Sequence, residues 1–251
     1  MTAWPKLVLF DLDGTLIDSV PDIRLAINEL VALDGLAPFS EAEVRSMVGR
    51  GLGKLVERAY RARGMDLPAS ELQARLQTMA AIYMRHLTGH TTLLPGALEA
   101  LSKREGRQLA LVTNKLQAAT EALVDHFGLR GAFAMILGDS GIPLKPAPDM
   151  LLHIATSLGV PPGDTVMVGD SAADIESARR AGIASILVEG GYSDIPAAEL
   201  GADIVIADLH QLDAALATFG QGCASKLSGV DLLKPNSLAR QQPLDIGDVQ
   251  R

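Results

Sequence analysis

The segment LVLFDLDGTLIDS, residues 7–19, joins a short apolar run directly to a pair of aspartates. Residues 7–10 form a run of the kind that is buried as a strand in a parallel sheet. The run leads into Asp11 and Asp13, whose carboxylates repel each other at close range. An acidic turn would explain these residues, because Asp and Gly are common in turns. A cation shared by both carboxylates would explain them too, and the rest of the chain decides between these two interpretations.

Short apolar runs recur along the chain and alternate with segments of helical length. The predicted strands are Leu7–Phe10, Leu109–Val112, Phe133–Leu137, Thr165–Val168, Ser185–Val188 and Ile204–Ile206. The predicted helices between them include Gln117–Phe127, Pro148–Leu158 and Ala172–Ala181. This alternation predicts an α/β protein with a Rossmann-like parallel sheet covered by helices on both faces. Ligands of such sheets bind beyond the carboxyl ends of the strands, which is where Asp11 lies.

The segment between the first two predicted strands breaks this rhythm, because it contains no convincing strand. Its first helical stripe consists of Val20, Ile23, Ile27, Leu30 and Val31. Ser19 and Asp22 form a plausible capping box at the start of that helix. Further helices are predicted around Glu41–Met47, Leu52–Arg63 and Ala69–Leu87. We therefore expect an all-helical cap, inserted after the first strand and lying above the aspartate pair.

These patterns divide the chain into three parts. Residues 1–15 and 93–219 are predicted to form the catalytic core, and residues 16–92 the helical cap. Residues 220–251 lack a sustained apolar period and are rich in Gly, Pro, Ser, Asn and Gln. We expect this last part to be a poorly ordered or extended tail.

Composition restricts the partners of the protein. The formal charge is −8 and no cluster of Lys and Arg is present, which argues against nucleic-acid binding. No apolar run approaches the roughly 18 residues that cross a membrane. A single cysteine, Cys223, excludes an internal disulfide and favours a reducing compartment, so we expect a cytoplasmic protein. An anionic substrate then needs a local cationic pocket or a bound metal, and the chain could be a monomer or a homodimer.

Four polar motifs follow predicted strands. They are Asp11-x-Asp13-Gly14-Thr15, Thr113-Asn114 in LALVTN, Lys145 in KPAPDMLL, and Asp170 with Asp174 in VMVGDSAADIESARRAG. Each has a plainer interpretation when it is taken alone. Thr113 and Asn114 are common turn residues, Lys145 could be a solvated loop cation, and Asp174 could be the capping partner of Ser171.

Taken together and in this order, the four motifs resemble those of the haloacid dehalogenase superfamily, in its large branch of magnesium-dependent phosphatases. The resemblance covers residues 6–219, and the helical insertion lies where that branch has its cap. The stretches GTLIDSVPDI, MVGRGLGKLVERA and VTNK are most similar to phosphoglycolate phosphatases. The resemblance implies a Mg²⁺-dependent hydrolase of carbohydrate metabolism that converts 2-phosphoglycolate to glycolate and phosphate.

The resemblance also implies roles for the acidic residues. Asp11 would be both nucleophile and metal ligand, forming an aspartyl-phosphate. Asp13 would be the general acid and base, with its backbone carbonyl on the metal. Asp170 would supply another metal ligand, while Thr15 and Asp174 would support the site.

The remaining candidates would handle the substrate. By the same resemblance, Thr113 and the Asn114 amide would hold phosphate oxygens, and Lys145 would offset their charge and orient Asp11. Arg50, which lies between glycines in the predicted cap, could bind the substrate carboxylate or be a surface arginine.

Four alternatives use the same fold differently. The substrate could be another small phosphate ester, such as a sugar phosphate. A phosphomutase-like transfer fits less well because that branch does not usually have a threonine at the position of Thr15, and dehalogenation does not need the proton donor Asp13 or magnesium. A non-catalytic binding or regulatory module is compatible with the fold, but binding alone needs no nucleophile paired with a proton donor.

Overall fold

A parallel sheet forms the centre of the molecule, as the alternation of strands and helices predicts. The computed structural model describes residues 4–102, 106–193 and 195–227, with side chains described as far as residue 219. The strands are β1 (Leu7–Phe10), β2 (Ile17–Asp18), β3 (Thr92–Leu93), β4 (Gln108–Leu116), β5 (Met135–Asp139), β6 (Thr165–Gly169), β7 (Ala184–Val188) and β8 (Ile204–Ile206). The main sheet has the order β5–β4–β1–β6–β7–β8, and each neighbouring pair is parallel. The predicted α/β class is confirmed.

Helices cover both faces of this sheet. The helices of the described chain are α1 (Val20–Ala32), α2 (Glu41–Arg45), α3 (Gly51–Ala62), α4 (Ala69–His86), α5 (Ala97–Ser102), α6 (Gln117–His126), α7 (Asp149–Ser157), α8 (Ala172–Ala181) and α9 (Leu212–Leu227), and those from α6 onward lie on the two faces. Strand β1 is buried on both sides, because Leu7 and Leu9 pack in the cluster with α7 and α8, whereas Val8 and Phe10 pack in the cluster with α6 and α9. A continuous apolar run is what such a central strand requires.

The predicted helical insertion lies between β1 and β4 and consists of α1–α4. At its two ends the chain forms a small antiparallel ladder, in which Ile17 pairs with Leu93 and Asp18 pairs with Thr92. No pattern in the sequence indicates this ladder, because a strand of two residues has no measurable period. The ladder lies at the boundaries that we expected between core and cap, and that division into domains stays a prediction.

The capping box predicted for Ser19 and Asp22 is wrong. Ser19 occupies the N-cap position of α1, but its hydroxyl donates a hydrogen bond to Asp13 Oδ1 over 2.5 Å. The buried Asp22 carboxylate instead accepts hydrogen bonds from the backbone amides of His90 and Thr91 and from the Thr91 hydroxyl. Both side chains therefore bind segments that are distant in sequence, and Asp22 ties α1 to the chain that returns to the core.

Helix α9 continues to Leu227, beyond the point where we expected a tail to begin. Two glycines in this stretch weaken the helical signal by about 1 kcal/mol each. Extending an existing helix nevertheless adds one hydrogen bond per residue without a new nucleation step. Residues 228–251 lie outside the described residues. Within the described ranges, no helix has both the length and the hydropathy needed to cross a bilayer.

We expect Asp22→Ala to lower the free energy of unfolding by at least about 2 kcal/mol, since it leaves several buried donors without an acceptor. Denaturant unfolding measures the change. Asp149→Ala is the matched control, because Asp149 is also an acidic residue in a first helical turn but is exposed. Equal stability of the two variants would contradict the role assigned to Asp22.

Candidate active site

Three buried carboxylates meet at the carboxyl edge of the sheet. Asp11 follows β1, Asp170 follows β6, and Asp174 lies in the first turn of α8. One side-chain oxygen from each of these residues lies within 4.8 Å of the other two. Carboxylate oxygens are the ligands that Mg²⁺ prefers, and this spacing suits one shared cation. The residues present therefore fit a divalent metal.

Lys145 places a buried ammonium against this cluster. Its Nζ lies 2.8 Å from Asp11 Oδ1 and 2.6 Å from Asp174 Oδ1, and it donates a third hydrogen bond to the Val112 carbonyl over 2.9 Å. The ammonium has three donors, and all three are used. Lys145 is thus an oriented part of the site, which rules out the interpretation as a solvated loop cation.

This cluster has more negative than positive groups, because three carboxylates face a single ammonium. Burial, and then the neighbouring Asp174, raise the pKa of Asp11 to about 7 although Lys145 opposes the shift. Burial, with Asp174 and Asp11, also raises the pKa of Asp170 well above its usual range. Burial alone would lower the pKa of Lys145, but the two adjacent carboxylates outweigh it and raise that pKa. One ammonium faces three carboxylates, so a bound cation would relieve an excess of negative charge.

Asp174 satisfies both interpretations that the sequence left open. Its Oδ2 accepts hydrogen bonds from the Ser171 amide at 3.1 Å and the Ser171 hydroxyl at 2.6 Å, at the start of α8. Its Oδ1 binds Lys145. Asp174 therefore belongs to the carboxylate cluster, from which the side chain of Asp13 is absent. The prediction of Asp13 as a metal ligand concerned its backbone carbonyl.

The Asp13 carboxylate lies in an ion pair of its own. Lys115 Nζ contacts both of its oxygens at 2.7 Å, and the Ser19 hydroxyl binds one of them. Lys115 is buried, and the sequence analysis did not select it although it follows Asn114 directly. A third polar residue after the LALV run was the only signal, since its partner Asp13 is remote in sequence. Asp11 and Asp13 therefore have different surroundings, which is a basis for different roles.

Close packing around Asp170 explains two features of the first motif. The Thr15 hydroxyl donates to Asp170 Oδ1 over 3.1 Å, which agrees with its predicted supporting place. Gly14 has a φ of +86°, and a Cβ there would overlap the Asp170 carboxylate. Only glycine fits this position without strain. The Asp-Gly-Thr sequence thus allows the chain after Asp13 to turn in close contact with the Asp170 carboxylate.

Asn114 acts as a clamp through its side chain. Its amide group exchanges hydrogen bonds with the backbone of Lys145, accepting at 2.9 Å and donating at 2.8 Å, and donates to the Gly49 carbonyl at 3.0 Å. The pairing of β4 with β5 shifts its register between Val112 and Leu116, the stretch that contains Asn114. The side-chain amide of Asn114 is therefore already bound to the protein's own backbone.

A cavity of about 50 Å³ opens beside Asp11 and Asp13. Thr113, Asn114, Lys115 and Tyr83 contribute its other polar side chains. The apolar part of its lining is Ile23, Val48, Leu52, Leu55, Met79 and Leu116. Both the sheet edge and the helices α1, α3 and α4 contribute to it. The cavity suits a small ligand with one end at the sheet edge and the other against the inserted helices α1, α3 and α4.

Of the three residues predicted to bind the substrate, Thr113 and Asn114 line this cavity and Arg50 does not. Its side chain is exposed and lines a neighbouring depression that Arg58, Ser171 and Tyr192 also line. The adjacent Gly49 and Gly51 do line the cavity. The backbone on both sides of Arg50 therefore approaches the site, as the glycines predicted, whereas its side chain belongs to the depression outside.

Tyr192 links the carboxylate cluster to Asp18 and Ser19, which directly precede the inserted helix α1. Its amide donates to Asp170 Oδ2 over 2.7 Å. Its hydroxyl donates to Asp18 Oδ1 and accepts from the Ser19 amide, both over 2.8 Å. The Arg45 guanidinium lies over its ring, 5.0 Å from the centroid. Sequence reasoning missed Tyr192, because these partners are brought together only by the fold.

Comparison with known proteins agrees with this geometry. Residues 5–182 match the family model described as haloacid dehalogenase-like hydrolase. The chain is 40% identical over 213 residues to a phosphoglycolate phosphatase of Chromobacterium violaceum, covering 82% of this chain and 94% of that protein. A crystal structure of a predicted phosphoglycolate phosphatase from Haemophilus somnus superposes with a TM-score of 0.77 at 31% identity, covering 84% of this chain and 97% of that one.

A second solved structure adds a bound ligand to the comparison. CbbY from Rhodobacter sphaeroides, in complex with phosphate, superposes with a TM-score of 0.73 at 27% identity, covering 84% of this chain and 99% of that one. The family predicted from four ordered motifs is thereby confirmed. This chain belongs to the haloacid dehalogenase-like hydrolases.

Proposed function

We propose that this protein is a magnesium-dependent phosphatase that hydrolyses 2-phosphoglycolate to glycolate and phosphate in the cytoplasm. The main structural support is the buried cluster of Asp11, Asp170 and Asp174, which holds an excess of negative charge around an oriented lysine. The named relative from Chromobacterium violaceum supports the choice of substrate.

The metal would be held by the carboxylates of Asp11 and Asp170 and by the backbone carbonyl of Asp13, with Asp174 beside them. When bound, Mg²⁺ offsets the repulsion between a phosphate dianion and these carboxylates. Thr15 and Tyr192 keep Asp170 in position through their hydrogen bonds to its two oxygens.

Asp11 acts as the nucleophile. Lys145 holds its Oδ1 and fixes the orientation of the carboxylate. A carboxylate oxygen of Asp11 bonds to phosphorus, the bond from phosphorus to the ester oxygen breaks, and its electron pair passes to that oxygen. Asp13 supplies the proton that turns the departing oxygen into the hydroxyl of glycolate.

Asp13 then works in the opposite direction. It takes a proton from water, whose oxygen attacks the phosphorus of the aspartyl-phosphate and releases phosphate, regenerating Asp11. Lys115 and Ser19 keep the Asp13 carboxylate in place for both steps. Thr113 and the backbone amide of Asn114 hold phosphate oxygens, and Lys145 offsets their charge.

The cavity favours a small substrate over a sugar phosphate. Its cap side is lined mostly by apolar side chains, including Val48, Leu52 and Leu55. Each sugar hydroxyl buried there without a partner would cost about 1–3 kcal/mol. A two-carbon leaving group buries little and needs few partners, so the alternative of a sugar phosphate is less favoured. The oligomeric state does not enter this proposal.

We expect the protein to release phosphate from 2-phosphoglycolate with Mg²⁺, faster than from sugar phosphates, and to lose this activity with a chelator. Asp11→Asn should lower the rate by several orders of magnitude, because no other residue replaces the nucleophile. Asp139→Asn is the matched control: Asp139 also ends a strand at this edge of the sheet but lies outside the cluster. Activity that survives chelation or Asp11→Asn would contradict the proposal.

The raised pKa of Asp11 predicts a pH-dependent effect of magnesium. Because this pKa is about 7 in the folded protein against an ordinary 3.8, the metal-free protein loses stability as the pH rises through about 7. A metal ligand must be deprotonated, so protons compete with Mg²⁺ below that pH. The rise in melting temperature caused by Mg²⁺ should therefore be clearly larger at about pH 8 than at about pH 5.5.

Thermal unfolding with and without Mg²⁺ at both pH values measures this effect. In Asp11→Asn the difference between the two pH values should shrink, whereas Asp139→Asn should behave like the unaltered protein. An equal effect of Mg²⁺ at both pH values would show that Asp11 does not titrate in this range or does not bind the metal.

A further inference from the structure

The buried hydroxyl of Tyr83 makes no well-aligned hydrogen bond in the described part of the chain. The residue lies on α4, is 3% exposed and lines the cavity beside Asp11. The Lys115 ammonium is near enough to act on this hydroxyl, but no donor or acceptor among the described residues meets it in hydrogen-bonding geometry. A buried polar group left this way costs about 1–3 kcal/mol, so its place at a ligand cavity calls for a functional explanation.

The surroundings of Tyr83 define what it can bind. The Lys115 ammonium lies over the Tyr83 ring, 4.9 Å from the centroid, and the same ammonium binds Asp13. Burial raises the pKa of Tyr83 to about 12, against the opposing effect of Lys115, so the group is a neutral hydroxyl that can donate. Apolar residues line most of the rest of this side of the cavity. A lone donor beside a cation suits an anionic oxygen.

The order of these residues follows the order of the groups in the proposed substrate. Asp13 marks the position of the departing ester oxygen, Lys115 contacts Asp13, and Tyr83 contacts Lys115. In 2-phosphoglycolate a single methylene separates the ester oxygen from the carboxylate. A substrate that presents its phosphorus to Asp11 therefore extends its carboxylate toward Lys115 and Tyr83, within the cavity that all these residues line.

We propose that the Tyr83 hydroxyl donates a hydrogen bond to the carboxylate of the substrate and, with Lys115, selects phosphate esters whose leaving group is a short carboxylic acid. This inference rests on the proposed phosphatase activity. It assigns to Tyr83 the recognition that the sequence suggested for Arg50, whose side chain lines the depression outside the cavity.

Tyr60 offers a matched control. It is also a buried tyrosine of the cap helices, on α3, but its hydroxyl donates to Asp34 Oδ2 and it does not line the cavity. Tyr60→Phe removes a hydrogen bond that the folded protein makes, whereas Tyr83→Phe removes a hydroxyl that lacks one. A recognition role and a structural role therefore predict opposite patterns of stability and selectivity.

The test compares 2-phosphoglycolate with ethyl phosphate, which has the same two-carbon chain but lacks the carboxylate. With Mg²⁺ bound, Tyr83→Phe should lower kcat/KM for 2-phosphoglycolate roughly 10- to 100-fold. The value for ethyl phosphate should change by less than about two-fold, since that ester makes no bond to the hydroxyl. The melting temperature of Tyr83→Phe should stay the same or rise. Tyr60→Phe should show a lower melting temperature with an unchanged ratio of the two specificity constants.

Inhibition constants of two phosphonates that cannot be hydrolysed measure ligand binding independently of turnover. Tyr83→Phe should weaken the binding of 3-phosphonopropionate, which has a carboxylate, and leave that of propylphosphonate unchanged. An unchanged ratio in Tyr83→Phe, or a loss of selectivity in Arg50→Ala instead, would overturn the assignment. The proposed substrate is tested separately, with the unaltered protein. If that protein hydrolyses other esters but not 2-phosphoglycolate, the proposed substrate is wrong, whatever the variants show.

Discussion

The buried ammonium of Lys145 is the interaction on which the rest of the site depends. It binds Asp11 and Asp174 directly, and all of its hydrogen atoms have acceptors. Removing one partner of a buried ion pair costs several kcal/mol, because the other charge remains buried without compensation. Yet one lysine does not neutralise three carboxylates. The excess negative charge contributes to the raised pKa values of Asp11 and Asp170. The site is thus built to be completed by a cation and by a phosphate that brings its own charge.

The fold holds this charged cluster rigidly from several directions. Asn114 fixes the backbone of Lys145, while the absence of a side chain at Gly14 allows the first motif to approach Asp170. Tyr192 connects Asp170 to the first residues of the insertion through its amide and its hydroxyl. Tyr192 therefore joins the carboxylate cluster to the start of the helical insertion through direct hydrogen bonds.

Much of this architecture could be predicted from the sequence, because it depends on local patterns. The apolar run of β1 and the position of Asp11 after it follow from strand periodicity and sheet topology. The structure adds contacts between residues that are distant in the chain. Lys115 and Tyr83 became visible only when the fold brought them to the cavity beside Asp13. The ladder of β2 and β3 was missed for another reason, since two residues contain no period.

The stereochemical course at phosphorus tests the central claim, that a residue of the protein attacks before water does, most directly. Attack by Asp11 followed by attack of water comprises two inversions, so this mechanism leads to overall retention of configuration. A thiophosphate analogue of 2-phosphoglycolate, made chiral at phosphorus with oxygen isotopes, reports the outcome when it is hydrolysed in isotopically labelled water. Retention is the expected result. Inversion would mean that water attacks the ester directly, and it would contradict the role of Asp11 as nucleophile.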